Sequence, residues 1–283
     1  IVRSVNGPDQ TTILGKGWPS GARCAYLGAK SVLGGFTLTN GYSGWDAGGA
    51  PCELGAVISN CVISGNQAAH MGGGVVGGTL YRCKLLDNVA QSIHAGGAAG
   101  STLFNCLVVG NWTGQSGGGV YRSEAYGCTI YGNAGSPAGA DQSLLENSIV
   151  YGNSGQEYQQ CALTYCCTTP NPGGEGNIDS PPQFVDTASR DFRLQAGSPC
   201  INAGTNRPWM NGATDLAGSP RLYNGRVDMG VFEYSGLPFV DITNVSNPVW
   251  VGRYRDPEAI AGDRDVAWSA DCDFLFMANQ GAD

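Results

Sequence analysis

The amino-acid sequence predicts an all-β fold: a right-handed, single-stranded parallel β-helix, a solenoid with coils of about 20 to 25 residues and an irregular C-terminal segment. Three observations lead there. A short motif returns at near-constant spacing, glycine supplies 45 of 283 residues, and only 13% of residues are charged. Glycine at that density opposes long helices, because each Gly inside a helix costs about 1 kcal/mol relative to Ala. It suits a chain that turns often, sometimes with φ > 0.

The repeat is the first element to justify. Asn60-Cys61-Val62-Ile63-Ser64-Gly65-Asn66 returns as Arg82-Cys83 to Asn88, Asn105-Cys106 to Asn111 and Gly127-Cys128 to Asn133. It returns once more as Asn147-Ser148 to Asn153, with Ser in the Cys slot. The slots are 22, 23, 22 and 20 residues apart, and a looser copy, Gly35 to Asn40, lies 25 residues before the first. Three residues before each slot stand Ile58, Leu80, Leu103, Ala125 and Leu145, and a glycine cluster precedes those. Strands this short bury nothing alone, but stacked at about 4.8 Å they align like residues in ladders. The slot and the residue two further on share a parity, so both point inward. Cys61, Cys83, Cys106 and Cys128 therefore form a structural column of compact thiols, where Ser148 argues for small size rather than sulfur. Asn66, Asn88, Asn111, Asn133 and Asn153 form a second ladder, at a bend that tolerates a left-handed backbone. A leucine-rich repeat shares the period, but it needs Leu at several fixed sites; a β-sandwich is the remaining alternative.

In domain terms, residues 1–160 read as β-helix coils and 161–234 as terminal coils with a closing segment. Residues 235–283 read as a separate partial repeat. Ile1 opens directly into strand-like sequence, with no signal peptide and no cap, as expected of a fragment whose start has been removed. No apolar run reaches the roughly 18 residues needed to span a bilayer. The net charge of −8 with only 15 scattered Lys and Arg argues against nucleic acid as a partner. Composition carries no signal for a cofactor or an oligomeric state. Of the eleven cysteines, Cys161, Cys166, Cys167 and Cys200 are expected in the irregular C-terminal part and are the better disulfide candidates, with unreadable connectivity.

Residues 30 to 155 resemble the β-helix repeats of bacterial surface proteins, including the polymorphic outer-membrane-protein-like repeats. Gly176-Asn177-Ile178, Pro182 to Asp186, Phe192-Arg193-Leu194, Gly197 to Gly204, Asp215 to Arg221 and Val227 to Tyr234 follow in one order. That succession is similar to the end of the β-helix in the choice-of-anchor group of secreted bacterial proteins. The resemblance implies an extracellular or cell-surface location and transfers no catalytic residue. Leu237 to Ile242, Asn247-Pro248-Val249, Asp265-Val266-Ala267 and Phe274 to Ala278 look like one copy of an LVIVD-type repeat. One blade closes no propeller, and a poorly ordered tail is the competing reading.

An inverting hydrolase needs two carboxylates facing across a cleft, and a lyase needs a Lys or Arg base beside a neutralising cation. Asp87, Glu124, Asp141 and Glu146 fall in different columns, so no catalytic residue is assigned. Asp46, His70, His94 and Gln115 each precede a glycine cluster by two residues, and are expected to form a polar ladder able to bind a ligand. Two imidazoles and a carboxylate there could bind a transition metal or polarise a sugar hydroxyl, against the plainer reading of a solvated ladder at a turn edge. The Cys column supplies one ligand per coil in a line, so no metal site is assigned to it. Trp45, Trp112 and Tyr121 lie at or near turns, where exposed rings stack on sugars. The leading expectation is a non-catalytic secreted or surface protein in adhesion, display or glycan contact, with polysaccharides or cell-surface glycans as partners. The alternatives are a carbohydrate-active enzyme, a polysaccharide lyase or glycosidase, and a structural spacer.

Overall fold

In the computed structural model, which describes residues 1–19, 21–222 and 225–234 and the backbone of Val240–Asp241 and Val249–Trp250, each coil is a set of short strands separated by sharp corners. One coil shows the plan: Val75–Val76, Thr79–Tyr81, Lys84–Leu86 and Val89–Ala90. Each strand pairs in parallel with its counterparts in the coils before and after, so the four strands build four faces of eight, eight, six or four strands. The result is a parallel β-solenoid of about seven turns. The chain divides into Ile1–Glu233 and Tyr234–Asp283. In the second unit Tyr234 and the antiparallel pair Val240–Asp241 with Val249–Trp250 are described; the LVIVD-like residues otherwise lie outside the described residues.

Register places like residues above one another. On the first face, the one holding Thr79–Tyr81, the inward column runs Leu33, Ile58, Leu80, Leu103, Ala125, Leu145 and Leu163. On the second face, the one holding Lys84–Leu86, it runs Leu38, Ile63, Leu85, Val108, Ile130 and Val150, all fully buried. Each such side chain contributes about 1.5–3 kcal/mol relative to exposure.

The corners explain the recurring polar residues. Before every Cys slot stands a left-handed residue: Gly35, Asn60, Arg82, Asn105, Gly127, Asn147 and Tyr165, with φ from 50 to 77°. That turn aims the next N–H along the stack, where the following coil's side chain accepts it. Cys83 N donates to Cys106 Sγ at 3.5 Å, Cys106 N to Cys128 Sγ at 3.4 Å, and Cys128 N to Ser148 Oγ at 3.1 Å. The same device recurs at another corner, where Ser101 N donates to Ser123 Oγ, Ser123 N to Ser143 Oγ and Ser143 N to Cys161 Sγ. Ser and Cys thus interchange because both are compact acceptors, a requirement that small size alone does not capture. Cys106→Ser is expected to shift stability by under about 1 kcal/mol, and Cys106→Val to cost about 1–3 kcal/mol by orphaning the Cys83 N–H. A urea series in which Val equals or exceeds Ser would return the column to a matter of volume.

All ten cysteines among the described residues are free thiols. Cys166 continues the thiol column, following left-handed Tyr165, and Cys161 continues the serine column. Neither belongs to an irregular region, because regular coils run on to Cys167–Thr168. Stacked thiols resist pairing for a geometric reason. Parallel in-register side chains hold their Cβ atoms about a strand spacing apart, near 4.8 Å, beyond the roughly 3.5–4.5 Å of a disulfide. Burial pushes the Cys61 and Cys166 thiols up to about 12, so they stay protonated and unreactive.

The asparagine ladder occupies the next corner, after left-handed Gly65, Asp87, Gly110, Gly132 and Gly152. Asn88 Oδ1 accepts from Asn66 N and Nδ2, and Asn111 Oδ1 accepts from the same two groups of Asn88. At one end Asn66 Oδ1 accepts from Gly41 N, and at the other the Glu157 carboxylate accepts from Asn153 N and Nδ2.

After the last coil the chain turns back along the solenoid's flank. Phe184 and Phe192, on the antiparallel pair Phe184–Asp186 and Asp191–Leu194, pack on Tyr131 at 5.8 and 5.0 Å. Arg190 grips Asp87 through two hydrogen bonds of 2.8 and 2.7 Å. Asn105 Nδ2 donates to Thr214 O, Asn147 exchanges two bonds with Thr205, and Val231 N donates to Thr129 Oγ1. Ile149, which points out of its coil, is fully buried, with Gly230 against it. The segment therefore runs lengthwise along the solenoid, over residues of several successive coils.

Candidate glycan-contact face

On the first face the outward column runs Arg3, Gly34, Ser59, Tyr81, Phe104, Tyr126, Glu146 and Thr164. The three aromatic rings stack face to face: Tyr81 on Phe104 at 5.0 Å and 9°, Phe104 on Tyr126 at 5.0 Å and 15°. That distance is close to the coil repeat itself, since each ring leaves an in-register strand in the same direction. Trp209 of the returning segment meets Phe104 edge-on at 5.1 Å. Arg207 binds both oxygens of Glu146 at 2.9 and 2.5 Å, beside the last aromatic rung. The Tyr126 hydroxyl donates to Glu124, and burial, then that carboxylate, raises its pKa. Toward the N terminus the ladder stops at Tyr81, which is 42% exposed, and Ser59, Gly34 and then the exposed Arg3 follow in its column. The column thus steps down from Tyr81 to a hydroxyl and a glycine, with the Arg3 stem against the far side of Gly34.

Sequence reasoning missed Tyr81, Phe104, Tyr126 and Trp209. The first three were within reach, because each is the residue after Leu80, Leu103 or Ala125 in the inward column. Trp209 carries no periodic signal.

The residues singled out from the sequence lie elsewhere. Counting back four from the paired Ala50, Val75, Ala98 and Val120 gives the actual row: Asp46, Met71, His94 and Ser116. His94 bridges Ser116 in register, and its Nδ1 lies 2.7 Å from Ser116 Oγ. His70 falls one residue out of the row, its ring against Trp45 at 4.5 Å, and Gln115 is likewise displaced from it by one. Asp46 Oδ1 accepts from Met71 N. The four predicted positions therefore do not converge as one ladder. Burial lowers the His94 pKa, partly opposed by Asp141. Among the described residues no group of three or more His, Cys, Asp or Glu is placed to hold a metal ion.

Trp45 and Trp112 are 67% and 44% exposed, as sugar stacking requires, but Tyr121 is only 6% exposed. His94 lies flat on its ring at 3.9 Å, and the Arg122 guanidinium is 5.1 Å from its centroid. Tyr121 has no ring face to offer a ligand. Compared with known proteins, the chain matches no family model, and no curated protein is significantly similar to it.

Proposed function

We propose that this chain is a non-catalytic, secreted or cell-surface β-solenoid of the bacterial choice-of-anchor kind, whose first face contacts glycans. The observation that carries the reading is the interrupted ladder: a half-exposed Tyr81 ring followed by Ser59 and Gly34. A planar apolar face at the edge of such a step takes the C–H face of a sugar ring as the next rung, and the Ser59 hydroxyl and neighbouring main chain supply polar contacts. Exposed Trp45 and Trp112 add stacking surface on the solenoid's other sides. A long regular face suits an extended polymer.

A panel of neutral and acidic polysaccharides, scored for binding and for turnover, tests it. Wild type is expected to bind without releasing reducing ends or unsaturated uronate, and Tyr81→Ala to weaken binding up to about tenfold, the loss of roughly 0.5–1.5 kcal/mol typical of a stacked ring. New reducing ends or uronate absorbance would instead identify a carbohydrate-active enzyme. Absence of all binding would leave a structural spacer.

A further inference from the structure

Arg82 and Arg221 are the described arginines that are not exposed. Arg221 is engaged by Glu233 and two carbonyls. Arg82 is not: its Nε is buried without an acceptor, as that of Arg221 also is, and among the described residues no other side-chain nitrogen of Arg82 finds one. A buried donor without an acceptor is costly; at the equivalent corner of the next coil the Asn105 Oδ1 is likewise buried without a partner. Arg82 lines an open recess of about 150 Å³, together with Asn60, Lys84, Asp9 and Leu216. Three parts of the chain meet there: the loop before the first regular coil, two successive corners, and the returning segment. Lys84 has no ion-pair partner among the described residues, so two cationic side chains face one exposed carboxylate, in a chain whose net charge is −8.

We infer that this recess binds an oxyanion, a carboxylate or sulfate carried on a saccharide, through Arg82 and Lys84. The saccharide part rests on the glycan reading above; the anion part rests on the guanidinium. A planar guanidinium presents paired donors that match a carboxylate or sulfate edge, and Lys adds a compact charge. Asn60 contributes an amide at the preceding corner. The volume suits one charged group and the carbon that bears it, well short of the space a whole ligand occupies. Arg82 directly follows Tyr81 in the chain, so the sugar bearing the anion lies beside the step in the aromatic ladder.

Calorimetric titration with an oligogalacturonate, its neutral methyl ester and a sulfated galactan oligosaccharide tests the assignment on wild type, Arg82→Gln and Lys84→Gln. Lys84 is exposed, so its variant keeps the fold, and thermal melts check the other. One or both charged ligands are expected to bind at least tenfold more tightly than the ester. Each variant is expected to lose about tenfold or more of that preference. Which charged ligand binds distinguishes carboxylate from sulfate. The assignment is overturned if neither charged ligand binds, if the ester binds equally well, or if both variants match wild type. Ester binding that still depends on Tyr81, with no effect of Arg82 or Lys84, would remove the anion site and leave the glycan face standing.

Discussion

Arg221→Met is expected to destabilise the returning segment by about 3–5 kcal/mol, because it strands three buried acceptors at about 1–3 kcal/mol each. Arg221 is wholly buried; its Nη1 lies 3.0 Å from Glu233 Oε1 and donates to Gly230 O at 2.9 Å, while Nη2 donates to Asp228 O at 3.1 Å. Asp215 and Asp228 are buried nearby and hold main-chain N–H groups of Ser219, Glu233 and Asn202. One guanidinium thus serves the Glu233 carboxyl and two carbonyls, and an apolar side chain satisfies none of them. Because the segment lies on the flank, the coils are expected to survive its loss. Urea unfolding should then separate into two steps, with early proteolysis within residues 182–233. A single transition shifted by under 1 kcal/mol would show that the cluster is not what holds the segment.

The same cluster fixes a pH dependence. Burial raises the Glu233 carboxyl to about 9, with Arg221 opposing and Asp228 adding to the rise. A carboxyl raised on folding holds its proton more tightly in the folded state. Stability from this group is therefore full below the ordinary Glu range and falls as pH climbs towards about 9. Glu233→Gln, neutral at every pH, is expected to flatten that slope.

The other large effect belongs to the asparagine ladder. Asn111→Ala is expected to cost about 3–5 kcal/mol, because it strands several buried groups at about 1–3 kcal/mol each. Asn111 Oδ1 accepts from Asn88 N at 3.0 Å and Nδ2 at 2.9 Å; its own Nδ2 donates to Leu85 O, Val109 O and Asn133 Oδ1. The coils on both sides lose bonds, so the damage spreads along the axis. Asn40→Gly is the control: Asn40 sits at φ 57° on a corner, where glycine adopts the same backbone at no steric cost. Equal urea midpoints for the two variants would mean that the ladder is ornamental.

The repeat columns were legible because an in-register parallel stack puts position-equivalent residues in equivalent surroundings. The Leu, Cys and Asn rows are one-dimensional facts, and counting finds them. Counting failed at the glycine clusters for a local reason. Ala47, Gly72, Ala95 and Gly117 share one left-handed slot, with φ from 54 to 69°. Since that slot takes either Ala or Gly, the first glycine of a cluster is not the same position in each coil. His70 was therefore aligned with His94 when its true neighbour is Trp45.

What the sequence determined by itself was the solenoid: its period, its inward rows, and the small acceptors and amides that turn its corners. These follow from short-range repetition and need no knowledge of distant partners. Where the returning segment lies was decided only in three dimensions, through Arg190 with Asp87, Arg207 with Glu146 and Asn147 with Thr205, pairs 103, 61 and 58 residues apart. The same holds for the step beside Tyr81 and the acceptor missing from Arg82. A side chain's exposure and its lack of a partner depend on everything folded around it, and no spacing along the chain records that.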